Sequence, residues 1–72
     1  MKYSIRTVIK NQKYILNKVE EPTYLMQESD MIRKNMVLGY VASNFREEMD
    51  EMSDITEIKY MYGRNVLFKY KY

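Results

Sequence analysis

The sequence predicts a small α+β domain, an antiparallel sheet made from an N-terminal and a C-terminal β-hairpin with a central helix packed on one face. Three observations predict it. Residues 2–10 alternate apolar and polar with period two. Residues 55–72 hold two more alternating runs around a glycine. Between these ends the apolar residues fall at helical spacing.

In the first run Tyr3, Ile5, Thr7 and Ile9 share one face, and Lys2, Ser4, Arg6, Val8 and Lys10 share the other. Lys13–Val19 reads as the second strand, with Asn11-Gln12 as a tight turn that sets Ile9 against Tyr14, Thr7 against Leu16 and Val8 against Ile15. Glu20-Glu21-Pro22-Thr23 ends the pattern, because proline has no N–H for a ladder and holds Glu21 extended. A short extended piece over 23–27 follows. A helix is then expected from Ser29 or Asp30 to Met52, capped by Ser29 or Asp30, with Leu38, Val41, Ala42, Phe45, Met49 and Met52 as its buried stripe. Its firmest part is 44–52. Two features speak for a break: Met36–Ala42 is apolar all round and also fits a buried strand, and Asn44–Glu47 has the form of a capping box. In the last hairpin Ile55–Tyr62 and Val66–Tyr72 flank a Gly63-Arg64-Asn65 loop. That phase puts Ile58, Tyr60, Tyr62, Val66, Phe68, Tyr70 and Tyr72 together, with Lys59, Met61, Leu67, Lys69 and Lys71 opposite.

Seventy-two residues make a single domain, 1–72, with a thin core. The chain has no cysteine and no histidine, so disulfides, thiolate metal sites and the commonest general base are excluded. The remaining way to reinforce so small a core is association, as a homodimer or with a partner. The longest uncharged stretch, Asn35–Phe45, is far short of the ~20 apolar residues a membrane-spanning helix needs. The N-terminal residues lack the apolar run of a signal peptide, and a cytoplasmic location is expected. The Lys, Asn, Ile and Tyr bias is that of AT-rich coding DNA, common in phages and mobile elements.

The charges are sorted by position. Residues 1–19 carry five bases and no acid, 20–54 nine acids and three bases, and 55–72 four bases and one acid. This layout balances if the basic ends lie together and the acidic middle packs across them. Two candidate partner-binding faces follow. The basic sheet face carries Lys2, Arg6, Lys10, Lys13, Lys59, Lys69 and Lys71, with Val8, Ile15, Val19, Met61 and Leu67 among them. Lysines suit phosphates or an acidic protein. The tyrosines phase with the core side, and this favours protein over single-stranded nucleic acid, which stacks on aromatics. The plain alternative is a solvated face with lysines guarding edge strands.

The second candidate is the acidic set Glu47, Asp50, Glu51 and Asp54, at i, i+3, i+4 and i+7 on a helix, with Glu48 beside it. Like charges at that spacing are locally unfavourable and invite a basic partner, although charge runs are usually no more than solvated faces. Of eight tyrosines most serve the core and its rim, while Tyr70 and Tyr72, at the chain end, are candidate partner contacts. Met31, Met36, Met49 and Met52 are expected in the core. No spacing pairs a nucleophile with a base, no glycine-rich phosphate loop exists and the carboxylates lack the spacing of a calcium loop, so no catalytic residue, cofactor or metal is expected. The function expected is that of a small non-enzymatic regulator binding one macromolecule, in the form of a phage-type inhibitor of a host or defence protein. The alternative is a nucleic-acid-binding protein using the basic strands.

Overall fold

The computed structural model describes residues 2–72. Strands β1 (Tyr3–Ile9) and β2 (Gln12–Val19) are followed by a single helical turn, α1 (Thr23–Met26), and by the main helix α2 (Asp30–Asn44). Two short 3-10 turns, Arg46–Glu48 and Met52–Asp54, lead to strands β3 (Ile55–Tyr62) and β4 (Asn65–Lys71). The strands form one antiparallel sheet in the order β2-β1-β3-β4, so the two hairpins join through their first strands. This is the expected α+β architecture, with α2 on one face.

The core lies between that helix and the sheet. Ile5 and Ile9 of β1, Ile55, Ile58 and Tyr60 of β3, and Val37 and Val41 of α2 are buried together. Tyr14 and Leu16 of β2, Phe68 of β4, and Leu38, Ala42, Phe45 and Met49 pack around them. Buried Thr7 donates its hydroxyl to the Glu57 carbonyl at 2.8 Å, beside a bulge that shifts the β1–β3 register between Val8 and Ile9.

The first hairpin keeps a two-residue turn but makes it one residue earlier than expected, and the second turns tighter, with two residues instead of three. Lys10 and Asn11 form the first turn, both with positive φ (50° and 64°), the conformation of a two-residue primed turn. Ile9 therefore faces Gln12, Thr7 faces Tyr14, and Ile5 faces Leu16. The pairs move by two residues, so each side chain keeps its face. The second turn is Gly63-Arg64, with Gly63 at φ 59° and Tyr62 opposite Asn65. The extra residue is taken up at a bulge, where the register shifts between Tyr60 and Met61 and pairing passes from Tyr60–Phe68 to Met61–Val66. Val66 thereby leaves the core face for the outer one.

The middle of the chain differs most. Residues 23–26 are helical, not extended, and start from Pro22, whose fixed φ suits a first turn. Met36–Ala42 is helix. Ser29 caps α2 by accepting from the Ile32 amide at 3.4 Å. The helix stops at Asn44 instead of reaching Met52. Ser43 Oγ and Asn44 Nδ2 both donate to the Tyr40 carbonyl at 2.9 Å, competing with a further turn, and Phe45 leaves helical backbone. Continuing would also have stacked Glu47, Asp50, Glu51 and Asp54 at the negative end of the helix dipole. The methionines follow suit, since Met31 (72% exposed), Met36 and Met52 are exposed and only Met49 packs on the core. No helix among the described residues is long and apolar enough to cross a membrane.

Candidate functional site

With α2 covering one face of the sheet, the other stays open. Strand pairing lays its side chains out in rows. One row runs Ile15, Arg6, Lys59, Lys69 across all four strands. The next runs Lys13, Val8, Glu57, Lys71, and the third Asn17, Ser4, Met61, Val66, with Leu67 at the bulge beside Val66. Five of the seven expected basic residues (Arg6, Lys13, Lys59, Lys69, Lys71) thus share this face with one acid, Glu57, which pairs with Lys69 at 3.3 Å. Arg6, Lys13, Lys69 and Lys71 are exposed.

Arg6, Lys59 and Lys69 stand directly abreast. Cross-strand neighbours lie about 5 Å apart at Cβ, and like charges so placed destabilise the sheet. Apolar side chains border the row: Ile15, Val66 and Leu67 are exposed, while Met61 is only 4% exposed although it lies outside the main core. The face is a mixture of cations and aliphatic groups without a stacking aromatic.

Lys10 and Lys2 do not belong to it. Lys10 sits in the hairpin turn, where its ammonium meets Asp50 at 2.6 Å and its amide donates to the Asp54 carbonyl. The hydrogen bond to the Asp50 carboxylate raises the pKa of the Lys10 ammonium. Lys2 precedes β1 at the opposite end, its carbonyl accepting from the Gly63 amide at 3.1 Å.

The acidic helical stripe does not form. Glu47 and Glu48 lie in the first 3-10 turn, Asp50 and Glu51 between the two turns, and Asp54 at the end of the second. Three of these acids have local work. Asp50 holds Lys10, Glu51 accepts from the Ser53 hydroxyl, and Asp54 Oδ2 accepts from the Asp50 and Glu51 amides at 2.7 and 3.1 Å. Those two backbone donors keep the Asp54 carboxyl below its ordinary pKa. The set acts as a latch from the α2–β3 loop to the tip of the first hairpin, and no group of acids among the described residues converges as a metal site would.

The chain end is tied down as well. Tyr70, expected as a partner contact, is buried; its hydroxyl donates to Asp30 Oδ1 at 2.8 Å and accepts from Arg33 Nη1 at 3.2 Å. Tyr72 donates to the Lys34 carbonyl at 2.7 Å and its ring lies 5.1 Å from the Lys34 ammonium. Its amide donates to the Thr56 carbonyl. Burial pushes the Tyr72 hydroxyl up to about 12.

Sequence reasoning missed two features. Arg33 is one: its side chain holds the Leu25 and Glu28 carbonyls, both at 3.0 Å, and lies over Phe68 at 5.3 Å. The other is a groove of about 550 Å³ between the β2–α1 connection and α2, floored by Ile5, Val37 and Tyr60 and walled by Tyr24, Met36 and Tyr40. There the Tyr60 hydroxyl donates to the Glu20 carbonyl, and burial pushes it up to about 12. An arginine bound to carbonyls and a groove walled by non-adjacent segments leave no periodic trace in a sequence. Compared with protein-family models, curated proteins and solved structures, the chain matches none.

Proposed function

We propose that this chain is a cytoplasmic, non-enzymatic interaction protein that docks its open sheet face on an acidic patch of a partner protein, regulating that partner as an inhibitor does. The observation that carries the reading is the row Arg6–Lys59–Lys69, three cations abreast on an uncovered sheet. Within the isolated chain this row works against stability. An anionic surface turns the same row into favourable contacts and steers association. The partner is read as protein because exposed Ile15, Val66 and Leu67 flank the cations and suit an apolar interface with a charged rim. A single-strand-binding sheet would set aromatics there. The acidic set falls to second place as a docking surface, because Asp50, Glu51 and Asp54 are engaged within the loop.

The test is affinity capture from lysate after nuclease treatment, comparing the wild-type chain with a variant carrying Arg6→Gln, Lys59→Gln and Lys69→Gln. A stoichiometric protein held by the wild type and lost by the variant is the expected result. Equal retention by both would remove the sheet face as the site. Recovery that vanishes with nuclease would hand the face to nucleic acid.

A further inference from the structure

Most of the tyrosine rings are engaged inside the chain. Tyr3 and Tyr62 pack ring on ring, Tyr14 packs on Phe45, Tyr60 and Tyr70 pack on Phe68, and the Lys34 ammonium lies over Tyr72. Tyr24 and Tyr40 are left. Among the described residues neither ring meets another aromatic ring or a cation. They are 66% and 48% exposed. These two rings, one from α1 and one from α2, wall the same groove of about 550 Å³. Small-molecule sites are of this size, roughly 300–1,000 Å³.

Charge is the second observation. Glu20 and Glu21 line the groove together with Lys18, two carboxylates to one ammonium. None of the three takes part in an ion pair among the described residues. The Tyr60 hydroxyl donates to the Glu20 carbonyl, so the acidic wall is tied to the sheet. Ile5, Val37 and Tyr60 make the floor apolar, with Val19 and Leu25 beside them.

We propose that this groove binds a small organic cation, an ammonium or quaternary ammonium head on an apolar body. The face of a tyrosine ring is the negative side of its quadrupole and attracts a cation placed within about 6 Å of the ring centroid. The two carboxylates give the same groove a net negative charge, and the apolar floor takes the uncharged part of the ligand. The lining selects the sign of the ligand. A neutral apolar ligand would strip water from the carboxylates and offer them nothing in return. An anion would gain Lys18 but meet both acids and the negative ring faces. Ile5, Val37 and Tyr60 belong to the core between helix and sheet, so the groove lies on the helix side. Binding there is independent of the row Arg6–Lys59–Lys69 on the open face.

Benzyltrimethylammonium is the probe, titrated into isotope-labelled chain at constant ionic strength and followed by amide chemical shifts. A probe of so few atoms should bind with a Kd of about 1 mM. Saturable shifts should gather in residues 18–25 and 36–40, the segments that wall the groove. Benzyl alcohol, which is neutral, and phenylacetate, which is anionic, should each bind about tenfold more weakly or less. Tyr40→Leu keeps apolar bulk and removes a ring face, while Glu21→Gln keeps shape and removes a charge. Each should weaken binding several-fold with an unchanged circular dichroism spectrum, and Tyr24→Leu replaces Tyr40→Leu should α2 lose its helix signal. Four results overturn the assignment: shifts that never saturate, equal affinity for benzyl alcohol, tighter binding of phenylacetate, or folded variants that bind the probe as well as wild type.

Discussion

The guanidinium of Arg33 joins four parts of the chain: the Leu25 carbonyl at the end of α1, the Glu28 carbonyl in the connection, Asp30 at the start of α2, and Tyr70 with Phe68 on β4. Its side chain is 17% exposed, so these bonds are partly shielded from water. A lysine ammonium has neither the planar fork nor the reach to serve two carbonyls and a hydroxyl together. Arg33→Lys should cost about 2–3 kcal/mol, judged from hydrogen bonds to charged groups, and a lowered urea midpoint with unchanged slope would record it. Tyr60 and Tyr72 give a pH dependence of definite sign. Their folded pKa values are raised to about 12 from 10.0, so the stabilisation is fully present below pH 10.0 and is lost as pH rises through the folded values. Unfolding midpoints should therefore hold up to about pH 9 and fall at about pH 11, and Tyr60→Phe should flatten that fall. An alkaline profile identical to wild type in the Phe variant would show that the Tyr60 hydroxyl does not drive it.

At the scale of elements, strained turns and bulges decide the registers. Lys18 adopts φ 60° where the β1–β2 register shifts between Tyr3 and Ser4. A left-handed conformation costs a non-glycine residue roughly 1–2 kcal/mol, so Lys18→Gly should raise stability by about 1 kcal/mol, read as a higher urea midpoint. The same places separate what the sequence makes legible from what it does not. Period-two alternation placed all four strands and the face of Ile5, Ile9, Ile58 and Tyr60, because alternation depends only on the strand itself. Turn position depends on which residues accept positive φ, and Lys10 carries no such signal, so the pairs moved by two. Val66 changed face because a bulge adds a residue without altering the local pattern. The helix from 44 to 52 differs for another reason: Phe45, Met49 and Met52 keep helical spacing in sequence, yet the segment folds as two 3-10 turns whose acids serve as hydrogen-bond acceptors. Five basic residues of the candidate face could be phased by alternation alone, whereas the row Arg6–Lys59–Lys69 needed the β1–β3 pairing, a contact between chain ends.

For the molecule as a whole, the sorted charges find a partial solution. The basic ends do lie together, since β1 and β3 are neighbours. The acidic middle does not cross them; Asp50 and Asp54 meet Lys10 at the hairpin tip, Asp30 meets Arg33 at the start of α2, and the helix takes the other face. The sheet face is left with excess positive charge that only Glu57 offsets. The proposed docking and the stability of the isolated chain then pull Lys59 in opposite directions. It stands between Arg6 and Lys69, so Lys59→Gln removes two like-charge contacts and should stabilise the isolated chain by a few tenths to about 1 kcal/mol at low salt. Screening shortens the reach of charges to roughly 3 Å at 1 M salt, so the gain should shrink as ionic strength rises. Thermal midpoints of both chains at about 0.01 M and 1 M salt measure this. The same substitution should weaken capture of an acidic partner. A variant that is no more stable at low salt would show that the lysines already splay apart into water, and the row would lose its claim to be built for an anionic surface.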